Sequence, residues 1–293
     1  MMDFLQKNTD ISHLSNFKTK AFSKYYFEIN KESDIELLGD IFDFAEKENV
    51  KTLFIGGGTN LLFAFDIFDG IIIKNNLLGW FYDEDSKILF SYSGEKTWDI
   101  ASGLETEYNQ KIWHRFIGLP GSIGGAVFGN AGCFGLETEN NFLEAEVYNL
   151  KTKKRETLNY EKMDFSYRSS IIKKKEQYFI IKIVFDLAEK KEKYKSDVDN
   201  IIFRETIQPK GNSGGSFFKN PSKEFSAGRL LEEVGLKGFH LGGAYFSEKH
   251  ANFLIASENC TWKDLITLID LAKTKVKQQF NMELESEVRI IFS

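Results

Sequence analysis

Cysteine is almost missing from this chain: two residues, Cys133 and Cys260, among 293. Two thiols build neither a disulfide framework nor a cysteine zinc site, and their scarcity predicts a reducing, cytosolic home. Histidine is scarce as well. His13, His114, His240 and His250 share no metal-ligand spacing, so no metal site is expected. No run of about eighteen apolar residues occurs, which leaves no helix to span a membrane. Residues 1–10 lack a basic stretch followed by an apolar one, so no secretion signal is expected. The net charge of −5 gives no general electrostatic reason to bind nucleic acid or anionic membrane. The lysine runs at 151–154 and 173–175 read as solvated turns.

What is present is core material. Hydrophobic residues make up 42%, with 28 phenylalanines, 3 prolines and 28% charged residues, which fits a globular chain of one large domain or two ordinary ones. Two glycine-rich stretches stand out. Residues 118–132 read GLPGSIGGAVFGNAG, and residues 56–62 read GGGTNLL after the apolar strand 52–55. A linker would be polar and repetitive, whereas apolar residues are threaded through these glycines. Bare backbone of this kind turns sharply and exposes N–H groups that cradle an anion, typically a phosphate. Two such cradles suit the two phosphates of one dinucleotide. Neither stretch matches G-x-G-x-x-G, which argues against a Rossmann site.

Along the chain, residues 25–29 read as a strand, and Ser33 with Glu36 reads as a capping box opening a helix whose Ile35, Leu38, Phe42 and Ala45 face a core. Strands are expected at 52–55, 70–74 and 87–93. A helix over 98–109 should turn Trp98, Ile100, Ala101 and Leu104 inward. The stretch 143–150, with Leu143, Ala145 and Val147 alternating, and the stretch 177–187, with Phe179, Ile181, Ile183 and Phe185 on one face, read as partner strands. A charge run at 189–195 marks a domain boundary. Beyond it, Ser226 caps a helix carrying Leu230, Leu231 and Val234, ended by Gly235. A helix over 262–280 stripes Leu265, Leu268, Ile269, Ala272, Val276 and Phe280, and a strand over 287–292 closes an α+β chain.

Several residues are able to do chemistry. Ser216 sits between two glycines and two phenylalanines in a loop at 211–221, and on spacing alone is as much turn former as catalyst; no G-x-S-x-G elbow surrounds it. Arg168, in the polar loop 163–170, would by itself simply brace that loop. Glu287 beside Arg289 reads alone as a surface ion pair. Residues 249–253, KHANF, read as packing beside a site.

Together, residues 56–62, 118–135, 167–168, 215–221, 228–244, 249–253 and 284–288 resemble the UDP-N-acetylenolpyruvoylglucosamine reductase family, flavoenzymes that make UDP-N-acetylmuramate for peptidoglycan. The motifs run in the family's order from about residue 56 to the end. The resemblance implies a vanillyl-alcohol-oxidase-type FAD-binding domain over 1–192, built from two subdomains of about 1–75 and 76–192, and a C-terminal α/β substrate-binding domain over 193–293. It implies that FAD is held by Gly56, Gly57, Gly58, Thr59, Asn60 and Leu61, and by Gly118, Pro120, Gly121, Ser122, Gly124, Gly125, Ala126, Asn130, Ala131 and Gly132. Tyr167, Lys219 and Asn220 would meet the substrate, and Arg204 would lie near its phosphates. NADPH would donate the hydride, which reaches the vinyl carbon C3 of the enolpyruvyl sugar nucleotide. Arg168 would stabilise the charge growing toward the carboxylate, a protonated Glu287 would hydrogen-bond it, and Ser216 would protonate C2. The chain is expected to act as a monomer. Thr59 replaces the family's common serine and keeps the hydroxyl. Residues 112–114, IWH, stand where the family often has Gly-Leu-Glu. The short 169–215 interval matches the shorter family form, which lacks the inserted loop with a lid tyrosine. An FAD oxidase for another substrate would share the glycine stretches without needing Ser216 and Glu287, and a non-catalytic nucleotide binder would need neither.

Overall fold

The structure is a computed structural model that describes residue 2, residues 4–189 and 200–293, with only the backbone at 200, 203, 205 and 207. The chain separates into two compact units: Met1–Leu5, Tyr26–Gly57 and Ile71–Ile202 form one, and Gln6–Tyr25, Gly58–Gly70 and Phe203–Ser293 the other. Of the charge run at 189–195, residues 190–195 lie outside the described residues.

In the first unit, residues 71–75 run between residues 26–29 and the strand Lys51–Ile55. The helix Leu38–Lys47 follows a tight helical turn, Glu32–Leu37. The N-terminal cap differs from the Ser33 and Glu36 pairing. The Asp34 carboxylate accepts the N–H groups of Asn30 (2.9 Å) and Lys31 (3.1 Å), so the turn starts two residues earlier. Phe42 stacks on Phe54, which packs on Phe179 of the neighbouring sheet with ring centroids 5.1 Å apart.

That sheet has five antiparallel strands in the order Lys154–Asn159, Phe142–Asn149, Tyr178–Asp186, Ile88–Tyr92, Trp80–Asp83. Phe179, Ile181, Ile183 and Phe185 are buried as their alternation requires. Leu143 is not: it is 40% exposed. The register slips between Phe142 and Glu144, and this bulge turns Leu143 and Glu144 out together before alternation resumes at Ala145. In the helix Thr97–Tyr108 the inward stripe is Thr97, Ile100, Ala101 and Leu104, while Trp98 is 51% exposed. Thr97 stands three and four residues before Ile100 and Ala101, and Trp98 falls one position off that face. Trp113, Phe116, Phe142 and Phe185 fill the core beneath. Within the long glycine stretch the chain forms a short helix, Ile123–Gly129, and residues 171–175 are also helical rather than a turn.

The second unit is organised by the helix Trp262–Phe280, whose buried stripe is Leu265, Leu268, Ile269, Ala272 and Val276. Thr261 caps it by accepting the Asp264 N–H at 3.2 Å, and Asp264 answers to the Thr261 N–H at 2.9 Å. A small antiparallel sheet, His240–Leu241, Ala244–Phe246 and Leu254–Ala256, shares its core with Phe17, Phe217 and Phe218. Ser226 caps Ala227–Glu233, and Gly235 follows with a left-handed φ of 75°. The closing strand is shorter than 287–292: Arg289–Ile291 pairs in parallel with Leu61–Phe63, and Glu287 precedes it.

Candidate active site

In the first unit the two glycine stretches meet. A Cβ on Gly57 would lie 2.6 Å from Gly121 Cα and 2.8 Å from Ser122 N, so bare backbone presses on bare backbone. Ser122 Oγ accepts the Gly57 N–H at 3.2 Å and, as helix cap, the Gly125 N–H at 3.3 Å. The N–H groups of Ile123 and Gly124 are bonded to the carbonyls of Glu95 and Ser93, both at 2.8 Å. These four amides hold the turns together. A bound anion is left to other donors, in the stretches or beside them.

One such donor is a side chain that the sequence reading passed over. Lys74 Nζ donates to Gly56 O at 2.7 Å and Asn75 O at 3.2 Å. Its ammonium is half-buried, and burial pulls its pKa below the ordinary lysine range despite the opposing pull of Glu28. The signal was a lysine directly after three buried isoleucines, 71–73, in one strand. Two glycine turns in backbone contact beside a half-buried cation fit the diphosphate of FAD.

Arg168 lies in the same unit, in a turn closed by reciprocal backbone bonds between Ser166 and Ser169 (3.0 and 2.9 Å). Its φ is 56°, the left-handed region that non-glycine residues seldom occupy. The guanidinium donates to Gly132 O at 3.1 Å and lies over the exposed Tyr167 ring, 5.1 Å from its centroid. Lys173 Nζ donates to Arg168 O at 2.8 Å. Asn130 is fully buried: Nδ2 donates to Ser166 O (3.2 Å) and Oδ1 accepts the Glu139 N–H (3.1 Å).

The second unit gathers Asn60, Glu287 and the Ser216 loop. Asn60 Nδ2 donates to Glu287 O at 3.1 Å, and Asn60 O accepts the Arg289 N–H at 3.0 Å. The Glu287 N–H donates to Phe217 O at 2.8 Å, directly after Ser216. Asn252, which the sequence reading placed only in a packing segment, clamps the loop. Its Oδ1 accepts the Phe218 N–H, its Nδ2 donates to Phe218 O, both at 2.9 Å, and its carbonyl accepts the Phe217 N–H at 2.7 Å. Exposed Ser216 looks into a cleft of about 500 Å³ lined also by Asn220, Arg229, Lys249, His250 and Asn252.

Asn220 Oδ1 accepts the Ala227 N–H at 3.0 Å, and Lys219 is paired with Glu285. His250 Nδ1 accepts the Asn252 N–H at 3.2 Å, which leaves its proton on Nε2, and burial lowers its pKa below 6.5. Arg204 lies on the helix Asn200–Ile207 and is not among the residues lining the cleft. Among the described residues, no group of three or more His, Cys, Asp and Glu side chains is placed to hold a metal ion, and no helix is long and apolar enough to cross a membrane.

Residues 32–154 match the model of an FAD binding domain, and the structure aligns with UDP-N-acetylenolpyruvylglucosamine reductase from Thermus caldophilus at a TM-score of 0.75, with 21% identity, covering 98% of this chain and 99% of that one. The structural match establishes a shared fold. With that FAD-binding domain, the chain is an α+β flavoprotein.

Residues 208–291 match the C-terminal domain model of UDP-N-acetylenolpyruvoylglucosamine reductase. The reductase of that name from Aquifex aeolicus is 35% identical over 98% of this chain and 95% of its own length; that from Bacillus subtilis is 33% identical over 88% and 86%. The chain belongs to the UDP-N-acetylenolpyruvoylglucosamine reductase family.

Proposed function

We propose that this protein uses NADPH to reduce the enolpyruvyl group of UDP-N-acetylenolpyruvoylglucosamine, giving UDP-N-acetylmuramate for peptidoglycan. The reading assigns the flavin to residues 1–192 and the substrate to 193–293, with the enzyme acting as a cytoplasmic monomer. One observation carries it most directly: Asn60 of a glycine stretch, Glu287 and the residue after Ser216 are joined by consecutive hydrogen bonds in one unit. A mere nucleotide-binding module has no reason to fasten a serine loop and a glutamate to its glycine turn.

When bound, FAD supplies the hydride that ends on vinyl carbon C3. Gly56–Gly57 and Gly121–Ser122 form the backbone floor for its diphosphate, and Lys74 supplies positive charge. In the cleft, the Asn220 Nδ2 group and the Lys249 ammonium meet the sugar nucleotide, while Arg204 and Lys219, which the resemblance assigns to the substrate, do not line it. Tyr167 orders the Arg168 guanidinium by stacking against it.

As hydride arrives at C3, negative charge grows at C2 and in its carboxylate. Arg168 stabilises that charge with fixed donors; in enzymes generally, losing one such donor costs about 10²–10³ in rate. Glu287 hydrogen-bonds the same carboxylate when it carries its proton. Ser216 Oγ then gives its proton to C2, closing the balance of one hydride and one proton added across the double bond. A serine is a weak acid, and it suffices because the C2 anion is a far stronger base.

The test is optical. The purified protein should be yellow, NADPH should bleach it without oxygen, and the enolpyruvyl sugar nucleotide should restore the colour. A bleached protein that the sugar nucleotide leaves bleached would point instead to an oxidoreductase for another substrate.

A further inference from the structure

Three polar contacts tie alternate residues of the glycine stretch to the arginine turn. Ser170 Oγ donates to Phe128 O at 2.8 Å, Asn130 Nδ2 to Ser166 O at 3.2 Å, and Arg168 Nη2 to Gly132 O at 3.1 Å. Lys173 Nζ also donates to Arg168 O at 2.8 Å, and Phe165, directly before the turn, packs on Phe142 with ring centroids 5.1 Å apart. Ser166 and Tyr167 are exposed, Arg168 and Ser169 half-exposed, so no apolar side chain of 166–169 anchors it in a core. Between the flanking Phe165 and the buried Ser170, its position is therefore set by polar contacts and by the backbone bonds of the turn itself.

Of the three, only Asn130 reaches from the glycine stretch with a side chain. It is 0% exposed, and both ends of its amide are used, since Oδ1 also accepts the Glu139 N–H at 3.1 Å. Its backbone caps the helix Ile123–Gly129 at a φ of 43°, a conformation asparagine tolerates better than most side chains. A buried amide fixed at both ends transfers the position of the glycine stretch to the turn with no slack. Arg168 holds a left-handed φ of its own, so a shift of the turn moves its backbone as well.

We propose that Asn130 is a positioning residue for Arg168: it couples the ordering of the glycine stretch by flavin to the placement of the arginine turn. The inference rests on Arg168 being the group that meets the substrate. The side-chain amide then serves the turn, and the stretch holds FAD through its backbone.

The experiment compares the wild type with Asn130→Gly, which accepts the left-handed φ and loses both amide contacts, and with Asn130→Asp, which keeps the acceptor for Glu139 and loses the donor to Ser166. Amide hydrogen exchange over 166–170 is read in FAD-free and FAD-loaded protein, alongside FAD affinity and the two half-reactions. In the wild type, FAD should slow exchange over 166–170 by about tenfold or more. With FAD saturating, protection of the turn should be lost in both variants, and reoxidation by the sugar nucleotide should slow about 10- to 100-fold more than reduction by NADPH does.

A simple loss of stability would not separate the two half-reactions in this way. Undiminished protection in the variants, or reoxidation at the wild-type rate, would overturn the proposal. If Asn130→Gly does not fold, Asn130→Asp decides by the same readouts. Arg168→Ala serves as the reference: if it reoxidises normally, the role given to Arg168 fails, and the exchange result alone then reports on the coupling.

Discussion

Gly57→Ala tests whether the two glycine stretches are pressed together as described. The new Cβ would sit 2.6 Å from Gly121 Cα and 2.8 Å from Ser122 N, well inside van der Waals contact, and its neighbours are backbone rather than a side chain able to swing away. Relief needs one turn to move by about an ångström, and overpacking of this kind costs about 1–3 kcal/mol. The same shift breaks the 3.2 Å bond from Gly57 to Ser122 Oγ, worth about 1 kcal/mol more. Gly129→Ala is the internal control. No atom lies within 4 Å of its new Cβ, its φ is not left-handed, and it stands in the last turn of Ile123–Gly129, so it should stabilise by about 0.4–1 kcal/mol.

The assay is urea unfolding of the FAD-free proteins, followed by FAD titration. Gly57→Ala should lower the midpoint and weaken FAD by about tenfold or more, since about 1.4 kcal/mol of displaced geometry is a factor of ten. Gly129→Ala should raise the midpoint and leave FAD affinity unchanged. If Gly57→Ala unfolds with the wild type and binds FAD equally well, the turns do not touch and the floor described for the diphosphate is wrong.

Lys74→Met should weaken FAD by about tenfold and flatten the salt dependence of its binding, read by flavin fluorescence in a salt series; an unchanged slope would remove the ammonium from the diphosphate's surroundings. His250 has its pKa lowered from 6.5 by burial, so the unfolded chain takes up a proton before the folded one does. Its stabilising share is full above pH 6.5 and falls as pH drops toward the lowered value; His250→Gln should flatten that part of a melting-temperature profile. Cys260 is buried with its thiol pushed up to about 12, so at pH 8 it should resist alkylation in the native protein until urea exposes it, counted by mass spectrometry.

Elements set by one strong local rule were legible in the sequence. The helix Trp262–Phe280 carries an unbroken apolar stripe, Tyr178–Asp186 alternates from Ile181 onward, and Ser226 stands directly before its helix. The misreadings each trace to a constraint that periodicity does not carry. Leu143 is turned out by a bulge whose cause is the pairing partner, and Trp98 misses the core by one helical position. Asp34 displaced Ser33 and Glu36 because the turn begins as a tight helix rather than an α-helix.

At the candidate site, the glycine stretches were visible as composition, yet their mutual contact joins residues more than sixty positions apart. Asn252, Asn130 and Lys74 went unassigned to their contacts for a related reason. Their roles lie in bonds to backbone carbonyls and amides, which no residue type at the far end announces. Compactness likewise joins residues 6–25 and 58–70 to the C-terminal residues, a grouping that composition along the chain does not mark.

The most direct measurement is an anaerobic pair of half-reactions on wild type and Ser216→Ala. The wild type, bleached by NADPH, should regain its flavin absorbance on mixing with the enolpyruvyl sugar nucleotide and yield a product two hydrogens heavier. Ser216→Ala should be bleached at the wild-type rate and regain colour about 10²–10⁴ times more slowly. A variant slowed equally in both halves, or a wild type whose sugar nucleotide emerges unreduced, would contradict the account.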